Sequence, residues 1–214
     1  SVWINRGNAN CALGNDEKAI QCYTNATRIC PSASSAWNNL STTLVRVGRF
    51  QEALEAANSA IAIHSNNAEF WTNRGGALHK LGQHEEALKS YTNAIEINGH
   101  DSFPWTNKGI ALQALNRHEE ALQCFDRALV LDGNSAKTWY NKSNSLHKLE
   151  RYAEEIDCCE RALAIDPFYA YALVNKANAL QKLGRNAQAV AFYDKALSIN
   201  PIMVNALINK GVSL

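Results

Sequence analysis

Asparagine returns at every thirty-fourth position of this 214-residue chain: Asn5, Asn39, Asn73, Asn107, Asn141, Asn175 and Asn209. A period of about 34 residues is the length of a helix-turn-helix unit, and asparagine is a poor helix former, about 0.6 kcal/mol less favourable than alanine in a helix interior. Something other than helix formation holds it there. Stacked helix pairs lengthen an array without a second core, so one continuous all-α array over residues 1–214 is expected rather than two domains. Its units run over residues 1–33, 34–67, 68–101, 102–135, 136–169 and 170–203, with a partial seventh at 204–214.

Other positions keep the same phase. Tryptophan stands two residues before five of the asparagines (Trp3, Trp37, Trp71, Trp105, Trp139), and Leu173 and Leu207 take that slot afterwards. Small residues recur at Ala19, Ala53, Ala87, Ala121 and Ala189, aromatics at Tyr23, Tyr91, Phe125 and Tyr193, and alanine again at Ala26, Ala60, Ala94, Ala128, Ala162 and Ala196. Five of the six units close near a helix breaker: Pro31, Gly99, Gly133, Pro167 and Pro201. These residues resemble the tetratricopeptide repeat, W-x2-L-G-x2-Y, then A-x3-F, then P, over essentially the whole chain. The resemblance implies a right-handed superhelical solenoid of antiparallel helix pairs, with the first helices lining a concave groove.

In the third unit the pattern predicts a first helix over 71–81, a left-handed Gly82, and a second helix over 85–97. Leu78, Leu81, Leu88, Tyr91 and Ile95 are expected in the seam. The interhelix glycine recurs at Gly14, Gly48 and Gly184, Asn116 is a permitted substitute, and Glu150 is the exception. Two units depart from the pattern. The fifth has Glu155 in the small slot and Cys159 in the aromatic slot, while the second has Ala57 for the aromatic and Ser41 for the glycine beside the asparagine. Looser packing is expected in both.

At 100° per residue each asparagine lies roughly 200° around its helix from the tryptophan, away from the seam. A carboxamide carries donor and acceptor together, so a column of them can pair with the peptide units of an extended chain without reading its sequence. The column also resembles that of the repeat superhelix in protein O-glycosyltransferases, here with no catalytic region. Two structural roles compete with peptide binding: the amides tie adjacent helices together, or the column is inherited by duplication. Drift at the preceding residues, Ile4, Asn38, Thr72, Thr106, Tyr140 and Val174, weighs against inheritance.

Selectivity would come from variable neighbours on the same face. Glu69, Phe103, Lys137 and Tyr171 share one slot; Arg46, Lys80, Lys148 and Lys182 share another, a basic strip suited to an acidic ligand. The expected peptide-binding set is therefore the seven asparagines with Lys80, Lys148, Lys182, Phe103 and Tyr171. Some members of the family clamp a chaperone's C-terminal carboxylate with an arginine in one asparagine slot; this chain has none, which disfavours that use. Directly after the asparagine stand Arg6, Arg74, Lys108, Lys142, Lys176 and Lys210, with Leu40 the apolar entry. Their stems fall within the apolar arc, and register makes Asp126, Glu160 and Asp194 the candidate partners of Lys142, Lys176 and Lys210.

Nothing in the sequence assembles a catalytic centre, a metal site or a cofactor site. His79 and His147 share one slot two units apart, His84 and His118 another one unit apart, and there is no phosphate loop or nucleophile elbow. The six cysteines include no C-x-x-C pair, and free thiols favour a reducing compartment such as the cytoplasm. A net charge of +1 argues against nucleic acid, and no apolar run is long enough to span a bilayer. The expected function is a non-catalytic scaffold for a protein or peptide. The alternative is an assembly module that stacks head-to-tail through uncapped ends, with Leu207, Ile208, Val212 and Leu214 uncovered.

Overall fold

The computed structural model describes residues 2–213. Ser1 and Leu214 lie outside the described residues. Among those described, the chain forms thirteen α-helices: α1 (Val2–Ala12), α2 (Asp16–Ile29), α3 (Ser34–Arg46), α4 (Phe50–Ile63), α5 (Ala68–Lys80), α6 (His84–Ile97), α7 (Ser102–Ala114), α8 (His118–Leu131), α9 (Ala136–Lys148), α10 (Tyr152–Ile165), α11 (Ala170–Lys182), α12 (Asn186–Ile199) and α13 (Val204–Ser213). Turns of three residues join the two helices of a pair, which forces them antiparallel. The expected helices of the third unit are present, with α5 beginning at Ala68, three residues before Trp71.

The contacts divide the chain into two compact units, residues 1–111 and 112–214. In the first unit α1 packs on α2, α3 on α4 and α5 on α6, with α2 against α3 and α4 against α5. The first helices α3 and α5 also touch. In the second unit α9 packs on α10 and α11 on α12, α10 meets α11, and α12 meets α13. There the first helices α9, α11 and α13 touch in series.

Small side chains let the paired helices approach. Ala19, Ala53, Ala87, Ala121 and Ala189 are each fully buried, as are the second-row alanines from Ala26 to Ala196. The aromatics Tyr23, Tyr91, Phe125 and Tyr193 fill the space these leave. They fit because glycine stands opposite: a Cβ on Gly75 would lie 2.5 Å from the Tyr91 ring, and one on Gly7 would overlap Tyr23. Where the aromatic is missing, the opposite residue grows. Ser41 faces the Ala57 unit and bonds the Ala53 carbonyl at 2.8 Å, and Ser143 accompanies Cys159. Both units are closed by substitution in pairs, and Ala57, Ser41, Ser143, Glu155 and Cys159 are all buried. Ala177 opposite Tyr193 breaks this rule, and nothing in the structure explains how the pair is accommodated.

The interhelix turns carry φ of +73° at Gly14, +83° at Gly48, +77° at Gly82 and +72° at Gly184. Asn116 and Glu150 adopt the same left-handed conformation at +57° and +59°. At Glu150 a Cβ meets the carbonyl, a strain of about 1–2 kcal/mol that the neighbouring helices impose.

The tryptophan slot ties each first helix to the connection before it. The indole nitrogens of Trp37, Trp71, Trp105 and Trp139 donate to the carbonyls of Pro31, Ser65, Gly99 and Gly133 at 2.9, 2.8, 3.3 and 3.0 Å. The cation after the asparagine lies over this ring, as Arg74 does on Trp71 and Lys142 on Trp139. In the sixth unit, where Leu173 replaces tryptophan, Lys176 lies instead over Phe192, 4.3 Å from the ring centre.

Candidate functional site

The asparagine column divides in two. In the first unit Asn39 donates its amide to Asn8 Oδ1 at 3.0 Å, and Asn73 donates to Asn38 Oδ1 at 2.7 Å and Thr42 Oγ1 at 3.0 Å. In the second unit Asn175 donates to Asn144 Oδ1 at 2.6 Å and Ser143 Oγ at 3.0 Å, and Asn209 donates to Asn178 Oδ1 at 2.9 Å. One geometry underlies all four: the amide reaches the residue 31 positions earlier, three places after the previous asparagine on the preceding first helix. Tyrosine hydroxyls complete two of these nodes, Tyr23 donating to Asn8 Oδ1 at 2.7 Å and Tyr193 to Asn178 Oδ1 at 2.6 Å. Burial pushes the Tyr193 hydroxyl up to about 12 and raises that of Tyr23 as well.

The slot three places after the asparagine holds Asn8, Thr42, Gly76, Ile110, Asn144 and Asn178 in successive units. Gly76 carries no side-chain acceptor, so Asn107 lacks the tie within the first unit. Asn141 is 8% exposed, and its Nδ2 has no hydrogen-bond partner. Its main-chain oxygen is held by Gln113, whose amide donates to it at 2.6 Å and to Ser145 Oγ at 2.8 Å. A buried donor without an acceptor costs about 1–3 kcal/mol. Asn5 is exposed.

On the same first helices, Phe103 and Tyr171 are exposed at 58% and 56%, and Lys80, Lys148 and Lys182 are exposed. Arg46, in the same slot as these lysines, is engaged: it pairs with Asp16 at 2.8 Å and reaches Cys11 Sγ. Glu69 accepts from Asn38 at 2.8 Å, which joins it to the Asn73 node. The three lysines after the asparagine in the second unit find the acids that register assigned them, Lys142 on Asp126 at 2.6 Å, Lys176 on Glu160 at 2.7 Å and Lys210 on Asp194 at 2.6 Å.

Three features are not legible from helical periodicity. Tyr140, Tyr169 and Tyr171 form a cluster, with ring centres 5.2, 6.0 and 6.3 Å apart. Tyr169 precedes α11 in a turn, where periodicity says nothing of its direction. His79 and His84 meet within one unit across the interhelix turn, Nδ1 to Nδ1 at 3.2 Å, and burial first, then His84, holds His79 below its usual range. Glu155, wholly buried, accepts from His147 Nδ1 at 2.9 Å in the repeat whose aromatic slot holds Cys159. Desolvation raises its pKa despite the histidine. The signal for it in the sequence is the pairing of an acid in the small slot with a missing aromatic.

Among the described residues no group of three or more histidine, cysteine or acidic side chains could hold a metal ion. The six cysteines are free, and burial pushes the thiols of Cys158 and Cys159 up to about 11 and about 12, so these two pack rather than react. No described helix is long and apolar enough to cross a membrane. Leu207, Ile208 and Val212 of α13 are exposed.

No curated protein sequence matches the chain. Solved structures similar to it include YrrB, a TPR protein with an unusual peptide-binding site, at 21% identity and a TM-score of 0.71, covering 88% of this chain and 97% of that one. PilF of Pseudomonas aeruginosa is similar at 20% identity and 0.84, covering 99% and 96%. A tetratricopeptide repeat protein from Parabacteroides merdae is similar at 22% and 0.79, covering 99% and 84%. At these identities the likeness is one of fold. Models of the tetratricopeptide repeat match residues 1–66, 68–101, 103–135, 136–169 and 170–202. With in-phase helix pairs and alanine seams along that same span, the chain belongs to the tetratricopeptide repeat family.

Proposed function

We propose that this chain is a non-catalytic scaffold that holds an extended, acidic peptide segment against the asparagine face of its first helices. One observation carries the reading. The ties at Asn39, Asn73, Asn175 and Asn209 fix each carboxamide by its nitrogen and leave its Oδ1 as an oriented acceptor on a part-exposed surface. A peptide in extended conformation presents main-chain N–H groups to such acceptors, and acceptors already held in place bind without further ordering. The grip is therefore mainly through oxygen at Asn73 and Asn175, where both amide hydrogens have partners, rather than the two-way amide pairing expected from sequence. Asn107, part-exposed and without a tie, keeps its donor for a ligand carbonyl. Exposed Lys80, Lys148 and Lys182 favour carboxylates, and Phe103 and Tyr171 supply apolar contact beside the column.

The test is selection of binders from an unbiased peptide library, followed by affinity measurement on a variant carrying Asn73→Ala, Asn107→Ala and Asn141→Ala. Binding of a selected peptide is expected to weaken at least tenfold. Unchanged affinity alongside a lowered melting temperature would show that the column serves only to tie helices together.

A further inference from the structure

The first-helix face of the second unit carries more than a backbone grip. Helices α9, α11 and α13 contain no aspartate or glutamate. Lys142, Lys176 and Lys210 are neutralised by acids of second helices, whereas Lys148 and Lys182 stand in the last turns of α9 and α11, exposed and in no ion pair among the described residues. Near the opposite ends of the same two helices sits the tyrosine cluster, with Tyr140 within 5.2 Å of Tyr169 and 6.0 Å of Tyr171, ring centre to ring centre.

We infer that this face, resting on the scaffold reading above, selects a bipartite peptide motif: an aromatic residue seated on the tyrosine cluster and an acidic residue held by Lys148 and Lys182. The helices set the spacing. Lys148 stands eight positions after Tyr140 and Lys182 eleven after Tyr171, about 12 to 16 Å at a helical rise of about 1.5 Å per residue. An extended peptide advances about 3.3 Å per residue, so the ring and the acid stand four or five positions apart. The partner is acidic because the face has unpaired cations and no acid of its own. It carries a ring because three clustered tyrosine faces offer offset or edge contacts that an aliphatic side chain does not use.

The probes are dye-labelled, acetylated and amidated peptides with one phenylalanine and an aspartate pair separated by one to six glycine or serine residues. Controls replace the phenylalanine by glycine or the aspartates by asparagine. Fluorescence anisotropy is measured on the full chain, on Tyr171→Ala, and on Lys148→Glu with Lys182→Glu, all exposed positions where folding is checked by circular dichroism. Affinity is expected to peak when three or four residues separate the ring from the first aspartate. Tyr171→Ala should weaken the phenylalanine peptide about three- to tenfold and leave the glycine control unchanged. The double charge reversal should weaken the aspartate peptides at least tenfold and leave the asparagine control unchanged. Library-selected peptides that bind with no response to these variants, or affinity indifferent to spacing, would overturn the motif while leaving the scaffold intact. A chain that selects no peptide from an unbiased library would overturn both.

Discussion

Asn73 and Asn141 occupy the same slot on α5 and α9 and do opposite things. Both hydrogens of the Asn73 amide are engaged, by Asn38 and Thr42, and the node extends through Asn38 to Glu69. The Asn141 amide is more buried and its nitrogen has no partner. The sequence differs in step: the position 31 residues earlier is polar Thr42 for the one and apolar Ile110 for the other. One repeated residue thus serves as a structural tie at Asn73 and as a buried, unpaired donor at Asn141. The surrounding helix pairs diverge in parallel: α5–α6 is closed by Tyr91 on Gly75, and α9–α10 by a buried Glu155–His147 bond beside Cys159.

The seam is where the two helix pairs should respond most differently. Tyr91→Ala empties the slot that Cys159 occupies in the fifth unit and should lower stability by about 3–5 kcal/mol in urea titration. Gly75→Ala drives a methyl into the Tyr91 ring and should cost about 1–3 kcal/mol by the same measurement. Combining it with Tyr91→Cys, the fifth-unit solution, should make the alanine nearly harmless. A full additive loss in the double variant would mean the pairing of small residue and ring is not the cause.

Smaller effects are expected in the fifth unit. Glu150→Gly removes the left-handed strain that Gly82 avoids in the third unit, and should stabilise by about 1 kcal/mol, read as a higher denaturation midpoint. Glu155→Gln keeps the shape and can still accept from His147 while removing the buried charge. The folded-state pKa of Glu155 is raised above its ordinary value of 4.5. Its favourable contribution is therefore present below that value and is lost as pH rises through the folded-state pKa. The glutamine variant should gain on the parent as pH rises from about 4.5 towards neutrality, by about 1 kcal/mol at most. A gap that narrows with rising pH would contradict the assignment.

Much of the fold is legible in the sequence because it is local and periodic. The helix pairs, the alanine seam and the left-handed turns follow from spacing alone, and the Lys142, Lys176 and Lys210 pairings follow from register one helix back. The asparagine ties are harder to read because they depend on a second slot whose occupant varies. They become legible once Asn8, Thr42, Asn144 and Asn178 are set against Gly76 and Ile110. The hydroxyl of Tyr23 or Tyr193 on an asparagine, against Phe125 in the unit with Ile110, is the same covariation seen from the second helix. Contacts made through turns escape periodicity altogether, as at Tyr169 and at the His79–His84 meeting.

The split of the column is tested most directly by the urea midpoints of Asn73→Ala and Asn141→Ala measured side by side. Alanine gains about 0.6 kcal/mol of helix propensity at either site. At Asn73 the lost bonds and the unpaired groups left behind outweigh that gain, so stability should fall by about 1 kcal/mol. At Asn141 the substitution also removes a buried donor without a partner, so stability should rise by about 1 kcal/mol. Shifts of opposite sign are the predicted result; equal losses at the two positions would contradict the account.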